Sequence, residues 1–301
     1  MENKRHLNSL MKKRLYYRQK SILEILQLFN KKIIKNNFQK YLFLFAQCQE
    51  EPVYNFLPSK QGPYSFQAYK DIRFLEESKL IHLDKNYIKL QINKSFFDEL
   101  KLKDKKILLN LKSKFNGYNE ENLLKYIGKK YSYFINQSKT NNKNYLNEEQ
   151  INSQHILFTI GYEGKSIDLY LNQLINNNIR LLVDVRKNPN SRKYGFSKKV
   201  LGQLCSKVGI SYQHIHKLGI NSDKRKKLET ISDYENLFSE YKRTILENNQ
   251  EILFKIIAKI KYKQRIALTC FEENPNYCHR KQISNEIATL NNNCDFEVQH
   301  L

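Results

Sequence analysis

The chain is short of cysteine, of long apolar runs, of internal repeats and of acidic residues, and each shortage narrows what it can be. Five cysteines in 301 residues, at 48, 205, 270, 278 and 294, are odd in number and far apart. They do not make a disulfide framework, and a reducing, cytoplasmic compartment is expected. No run approaches the roughly 18 apolar residues that a membrane helix needs. The basic start MENKRHLNSLMKKRLYYRQK has no apolar core and no cleavage site, so no signal peptide is expected. Neither CxxC nor HxxxH spacing occurs, so no metal and no cofactor is expected. Acidic residues number 30 against 52 Lys and Arg, a formal net charge of +22. Such a surplus attracts polyanions, nucleic acid first and an acidic membrane surface second. The abundance of Lys, Asn, Ile and Tyr also fits an AT-rich coding sequence, which raises Lys without any partner. Nucleic acid is the expected partner, a nucleotide or other phosphate-bearing ligand also fits, and no membrane is expected. Oligomeric state is not legible.

What the chain does have is enough apolar residue, 40 %, to build a core, and enough length for two domains. Residues 138–154 (SKTNNKNYLNEEQINSQ) are polar and Asn-rich and predict a linker. They separate a basic, mostly helical domain, 1–137, from an α/β domain, 155–301. Both sides are basic, the first more so.

On the first side, Ile22, Ile25, Leu26 and Phe29 follow the helical period, and Tyr41 to Phe45 forms a second apolar block. Pro58 and Gly62-Pro63 break the chain. Ser65 is placed to cap a helix carrying Phe66, Tyr69, Ile72 and Leu75. Leu80–Leu83 and Tyr87–Leu90 flank Asp84-Lys85-Asn86 as a hairpin. Helices followed by a two-stranded wing predict a winged-helix-like domain, with Lys70 and Arg73 on its recognition helix as nucleic-acid contacts. A plain helical interaction module fits the same residues. A further helix is expected over 119–137, where Tyr126, Tyr131, Tyr133 and Phe134 are expected to pack, with base stacking as the lesser alternative.

The second side alternates short apolar runs with amphipathic segments. Strands are predicted at Ile156–Ile160, Leu181–Val185, Ser211–Ile215, Ile266–Cys270 and Phe296–His300. Helices are predicted from Ser166 to Asn176, Ser197 to Val208, Tyr234 to Ile260 in one or two pieces, and Cys278 to Leu290. Strands separated by helices imply a mainly parallel sheet between helical layers, a three-layer α/β domain.

Residues 266–282, IALTCFEENPNYCHRKQ, carry the most chemistry. A strand ends on Cys270, a polar loop follows, and Cys278, His279 and Arg280 open a helix. A helix N-terminus beside His and Arg favours a thiolate, so Cys278 is predicted to be more reactive than Cys270. Glu272 is placed to act as acid or base. Asp184 and Arg186 share a face at a strand end. There they form either an ion pair or, with Arg192 and Ser191, an anion clamp. His214 and His216 alternate onto one face.

Four blocks, TIGYEGKS (159–166), LVDVRKNPNSRKYGFS (182–197), YQHIHKLG (212–219) and TCFEENPNYCHR (269–280), stand in an order that resembles the domain-of-unknown-function family numbered 488. QGPYSF (61–66) resembles an extension that some members carry. Ile220 departs from the second glycine that many members have after LG. The strand–Cys–loop–Arg–helix order is also similar to rhodanese and cysteine phosphatases, but the 270–280 loop is longer and poor in glycine. The expected site is one pocket at the carboxyl edge of the sheet. Cys278, His279, Cys270 and Glu272 are its catalytic candidates. Arg186, Arg192, Arg280, Tyr162 and Ser191 hold an anion, with Asp184 and His214 in support. The expected activity is chemistry on a nucleic acid or nucleotide; the alternative is a non-enzymatic nucleotide or anion sensor or transcriptional regulator.

Overall fold

The computed structural model describes residues 14–136, 155–225, 228–291 and 296–301. The chain divides into two units, Met1–Asn141 and Asn142–Leu301. The segment 138–154, expected as a linker, and Cys294 lie outside the described residues.

The first unit begins with α1 (Tyr17–Leu28), β1 (Lys32–Ile34), α2 (Lys35–Ala46) and α3 (Phe66–Glu77). The Ser65 hydroxyl accepts the Ala68 N–H at 3.1 Å, the cap its position predicts. The hairpin of β2 (Ile81–Leu83) and β3 (Tyr87–Leu90) is antiparallel, with Ile81 opposite Leu90. β1 pairs with the other side of β3, so the sheet runs β1-β3-β2. α4 (Leu102–Phe115), α5 (Glu120–Lys130) and the short α6 (Tyr133–Asn136) complete the unit. Ile22, Phe38, Phe43, Leu75, Leu108 and Ile127 share one core. Tyr131 and Phe134 pack edge-on against Phe43 at 5.2 and 4.7 Å, which is their work as core residues. Buried Asp71 ties α3 to α1 by accepting from Arg18 at 2.6 Å and Gln19 at 3.1 Å, and it also accepts the hydroxyl of Tyr54, from the loop before α3, at 2.9 Å.

The second unit is built on five parallel strands: β4 (His155–Gly161), β5 (Leu181–Asp184), β6 (Ser211–His214), β7 (Arg265–Cys270) and β8 (Phe296–His300). Their order is β6-β5-β7-β4-β8. Gly161 stands opposite Cys270, Asp184 opposite Thr269, and Asp184 opposite His214. Four carboxyl ends therefore meet at one edge.

The connecting helices are α7 (Ile167–Asn176), α8 (Lys198–Lys207), α9 (Ile231–Tyr241), α10 (Gln250–Lys263) and α11 (His279–Leu290). The long segment from 231 to 263 is two helices joined by irregular turns over 242–249. Side chains alternate along each strand. Leu157, Val183, Val185, Ile266 and Leu268 face one way and share a core with Leu253, Ile257, Ile260, Ile283 and Ile287 of α10 and α11. Thr269 faces the other way and accepts the Tyr170 hydroxyl of α7 at 2.7 Å, with Phe196 against the Tyr170 ring. Helices thus cover both faces of the sheet.

Candidate active site

Cys270 closes β7 and has the parity of Ile266 and Leu268, so its thiol lies on the α10–α11 face. Its Sγ stands 3.2 Å from the Glu272 carboxylate and 3.6 Å from His279 Nδ1. Cys278, the residue preceding α11, places its Sγ 3.9 Å from the same Nδ1. The other ring nitrogen, Nε2, is 3.0 Å from the Val185 carbonyl. A carbonyl only accepts, so Nε2 carries the proton and the Nδ1 lone pair faces the thiols. The Tyr241 ring meets the imidazole edge-on at 5.6 Å.

Arg225, from the turn after β6, completes the centre: it pairs with Glu272 and donates to His279 Nδ1 at 2.7 Å. The sequence singled out no role for it. It sits in the polar run NSDKRKKLET, which has no apolar period to fix its place. Both thiols are buried, at 2 % and 0 % exposure, while Arg225 and Glu272 are half-buried and form the outer side.

The loop after Cys270 is held from beneath. Arg280, fully buried, donates to the backbone carbonyls of Glu272 and, at 2.7 Å, of Glu273, and reaches the Thr159 hydroxyl at 3.4 Å. Its guanidinium is thus spent on the loop, not presented to an anion. Gly161 makes the close approach possible, since a Cβ there would lie 1.8 Å from the Glu272 carbonyl oxygen. Lys165 braces the same turn, donating to the Gly161 carbonyl at 3.1 Å.

The two thiols differ in acidity, and in the reverse of the expected order. Burial opposes a Cys270 thiolate. The hydrogen bond from Cys278 and the contacts with His279 and Arg225 overcome it and pull Cys270 well below the ordinary thiol range. Cys278 is pushed well above that range by its own burial and by the hydrogen bond to, and charge of, Cys270. Glu272 is raised by burial and by the Cys270 charge, against the pull of Arg225. The helix-start field that singles out Cys278 in the sequence is thus outweighed by the neighbours of Cys270.

Arg186 and its partners lie on the opposite face of the sheet. Asp184 and Arg186 alternate with Val183 and Val185, which face Cys270's side. Arg186 Nε donates to Asp184 at 2.8 Å, and its Nη1 donates to the Tyr162 hydroxyl and the Phe196 carbonyl, both at 2.9 Å. Tyr212 donates to the same carboxylate at 2.7 Å. Burial opposes the Arg186 charge, but the Asp184 hydrogen bond and charge more than restore it, and its pKa rises. Of the two alternatives for this pair, the geometry is that of a buried ion pair pinning a loop. The expected single pocket is therefore two clusters at one edge, on opposite faces. One peptide unit joins them: its Val185 carbonyl accepts from His279, and its Arg186 N–H donates to Asp184 at 3.1 Å.

The remaining candidates are more scattered. Arg192 is exposed, and Ser191 accepts the Lys193 N–H at 3.2 Å. His214 contacts the Arg186 carbonyl at 2.8 Å through Nε2, and its ring centre is 6.1 Å from that of His216. Both histidines line a surface cavity of about 620 Å³ with Lys255 and Lys259. Lys70 and Arg73 are exposed on α3 of the first unit, Arg73 paired with Glu76 at 2.6 Å.

The ligand atoms of Cys270, Cys278 and His279 lie within 4.8 Å of one another, a spacing open to a soft metal. Such an ion needs the Nδ1 lone pair, which Arg225 holds here. The positive charge of the centre is a guanidinium. Among the described residues, no helix is long and apolar enough to cross a membrane.

Comparison with curated proteins and with solved structures gave no match. Residues 166–287 match the family model described as domain of unknown function DUF488. That span runs from the start of α7 into α11 and takes in Asp184, Arg186, His214, Arg225, Cys270, Glu272, Cys278 and His279. Over residues 166–287 the chain resembles the DUF488 family.

Proposed function

We propose that this protein is a nucleic-acid-associated enzyme with Cys270 as its nucleophile, acting on a phosphate-bearing nucleic acid or nucleotide. The observation that carries this reading is the packing of a thiol against a carboxylate at 3.2 Å and an imidazole nitrogen at 3.6 Å, with a guanidinium across both. Nucleophile, proton acceptor and anion partner are the parts that covalent catalysis needs. In this scheme Cys270 reacts as the thiolate: its sulfur bonds to the electrophilic centre of the substrate as the bond from that centre to the leaving group breaks. Arg225 turns from Glu272 to the substrate's anionic group, and the proton that Cys278 holds passes by way of Glu272 to the leaving group. Water then cleaves the bond to sulfur.

The first unit supports a nucleic-acid role. The order α1-β1-α2-α3-β2-β3, with the sheet order β1-β3-β2, fits a winged helix. Lys70 and Arg73 on α3 and Lys85 and Lys89 on the hairpin are exposed along it. A second reading, a sensor that binds an anion at Arg225 without turnover, is favoured by the burial of both thiols behind the Arg225–Glu272 pair.

Iodoacetamide treatment of the folded chain near neutral pH, mapped by mass spectrometry, tests the nucleophile. Cys270 is expected to be labelled ahead of Cys205 and Cys278, faster than a free thiol, and to be protected by a single-stranded oligonucleotide. Labelling no faster than a free thiol removes Cys270 as nucleophile. Oligonucleotide binding that survives in Cys270→Ala, with no product formed by the unaltered chain, selects the sensor.

A further inference from the structure

A cavity of about 210 Å³ lies in the first unit between the start of α2, the outer side of α3 and the β2–β3 hairpin. It is smaller than the roughly 300 Å³ at which drug-sized sites begin, and suits one planar heterocycle. Two tyrosines, Tyr64 and Tyr69, stand with ring centres 6.5 Å apart and planes tilted by 36°. Tyr69 is 47 % exposed although it is aromatic, and it sits beside exposed Lys70 on α3. Two carboxamides, Asn36 and Gln39, stand at the side of α2, and the Ser65 N–H at 3.3 Å fixes the Gln39 amide in orientation. Two cations, Lys35 and Arg73, also line it, Arg73 paired with Glu76 at 2.6 Å, over an apolar floor that includes Ile72 and Ile88.

Each group answers one part of a nucleotide. Aromatic faces stack bases without regard to sequence, carboxamides pair with base edges as donor and acceptor at once, and cations neutralise phosphate. We propose that this cavity binds a single nucleobase carrying a phosphate, stacked on Tyr69 and closed by Tyr64. Asn36 and Gln39 meet its edge, and Lys35 and Arg73 its phosphate. The ligand is a free nucleotide or an unpaired residue of a strand; a paired base, stacked within a duplex, does not enter. The proposal rests on the reading of this unit as the nucleic-acid-holding part.

The test uses the full chain and a single-stranded oligonucleotide with one 2-aminopurine, whose emission falls on stacking. The chain has no tryptophan, so no indole emission overlaps it. The expected result is quenching on binding, with the matching duplex bound more weakly. Tyr69→Ala is expected to lose about 5- to 150-fold in affinity for the single strand, the range for one base–aromatic stack. Tyr69→Phe keeps the stacking face and is expected to stay within about twofold. Adenosine monophosphate, added as competitor, identifies the source: displacement of the strand points to a free nucleotide, and no displacement to a base held in a strand. Equal binding of duplex and single strand, with Tyr69→Ala within twofold for both, overturns the base site and leaves the nucleic-acid reading of the unit standing. No binding of either oligonucleotide at low salt overturns both.

Discussion

Cys270 and Cys278 share one imidazole, yet only one of them can carry charge at a time. Two thiolates this close repel, so the pair holds a proton between them, and it settles on Cys278, whose hydrogen bond then stabilises the Cys270 thiolate beside His279 and Arg225. Thiolate absorbance followed against pH is expected to show one thiol ionised well below the usual ~8.5. In Cys278→Ala the donor is gone and the midpoint moves up; in Arg225→Ala a favourable charge is gone and it moves up again. A midpoint unchanged in both variants refutes this account of the acidity. The linkage follows in sign: a thiol whose folded pKa is depressed stabilises the fold above its unfolded value, and that contribution is lost as pH falls through the folded value. Urea midpoints measured above and below this window detect it. At this scale the sequence reveals Cys270, Glu272, Cys278 and His279 because one loop carries them all. It conceals Arg225, which arrives from a distant polar run, and with it the order of the two thiols. Arg280 is visible as a basic residue, but nothing in its position tells that it points inward beneath the loop.

At the scale of elements, alternation along β5 and β7 decides which residues can cooperate. Asp184 and Cys270 reach the same edge and then part to opposite faces. Asp184 is buried beneath Arg186 and Tyr212, so Asp184→Ala strands a buried guanidinium. That loss is expected to cost about 3–5 kcal/mol, read as a lower urea midpoint with unchanged m-value. A change under 1 kcal/mol argues that Arg186 finds another partner or water. Gly161→Ala is expected to displace the 271–273 loop, because the added methyl meets the Glu272 backbone rather than a side chain that can swing aside. A lowered urea midpoint and slower labelling of Cys270 together report it, whereas wild-type values for both contradict the close approach. Most of these elements are legible in the sequence: apolar runs give the five strands of the second unit, and serines mark the starts of α3, α7 and α8. β1, at three residues, is too short to show a period, and α4 hides its buried Leu108 and Leu111 among lysines. The faces onto which the two clusters divide were within reach of the same alternation. The four conspicuous blocks suggest one pocket only while parity is left out.

For the whole molecule, the formal charge of +22 predicts an association with nucleic acid that is mainly ionic. If about six phosphates are neutralised, raising salt from 50 to 200 mM is expected to weaken binding by roughly 10³-fold. Filter binding or anisotropy of the full chain across that range measures the slope, and a flat response leaves the lysine excess as composition alone. Fold class, the parallel sheet and the family are legible at this scale because each rests on order along the chain. Contact between sites is not, because it rests on packing. The sheet of the second unit stands as a wall between its two helical layers. At the Val185–Arg186 bond it conducts. The negative end of that peptide's dipole touches the imidazole proton, and its positive end touches the Asp184 carboxylate, so the dipole lies along the line from one cluster to the other. A charge gained at the thiols changes the pull on His279, and the change is transmitted through a single amide. The Arg186 amide nitrogen is then a reporter on the far side of the wall: its chemical shift should trace the Cys270 titration without any atom crossing the sheet.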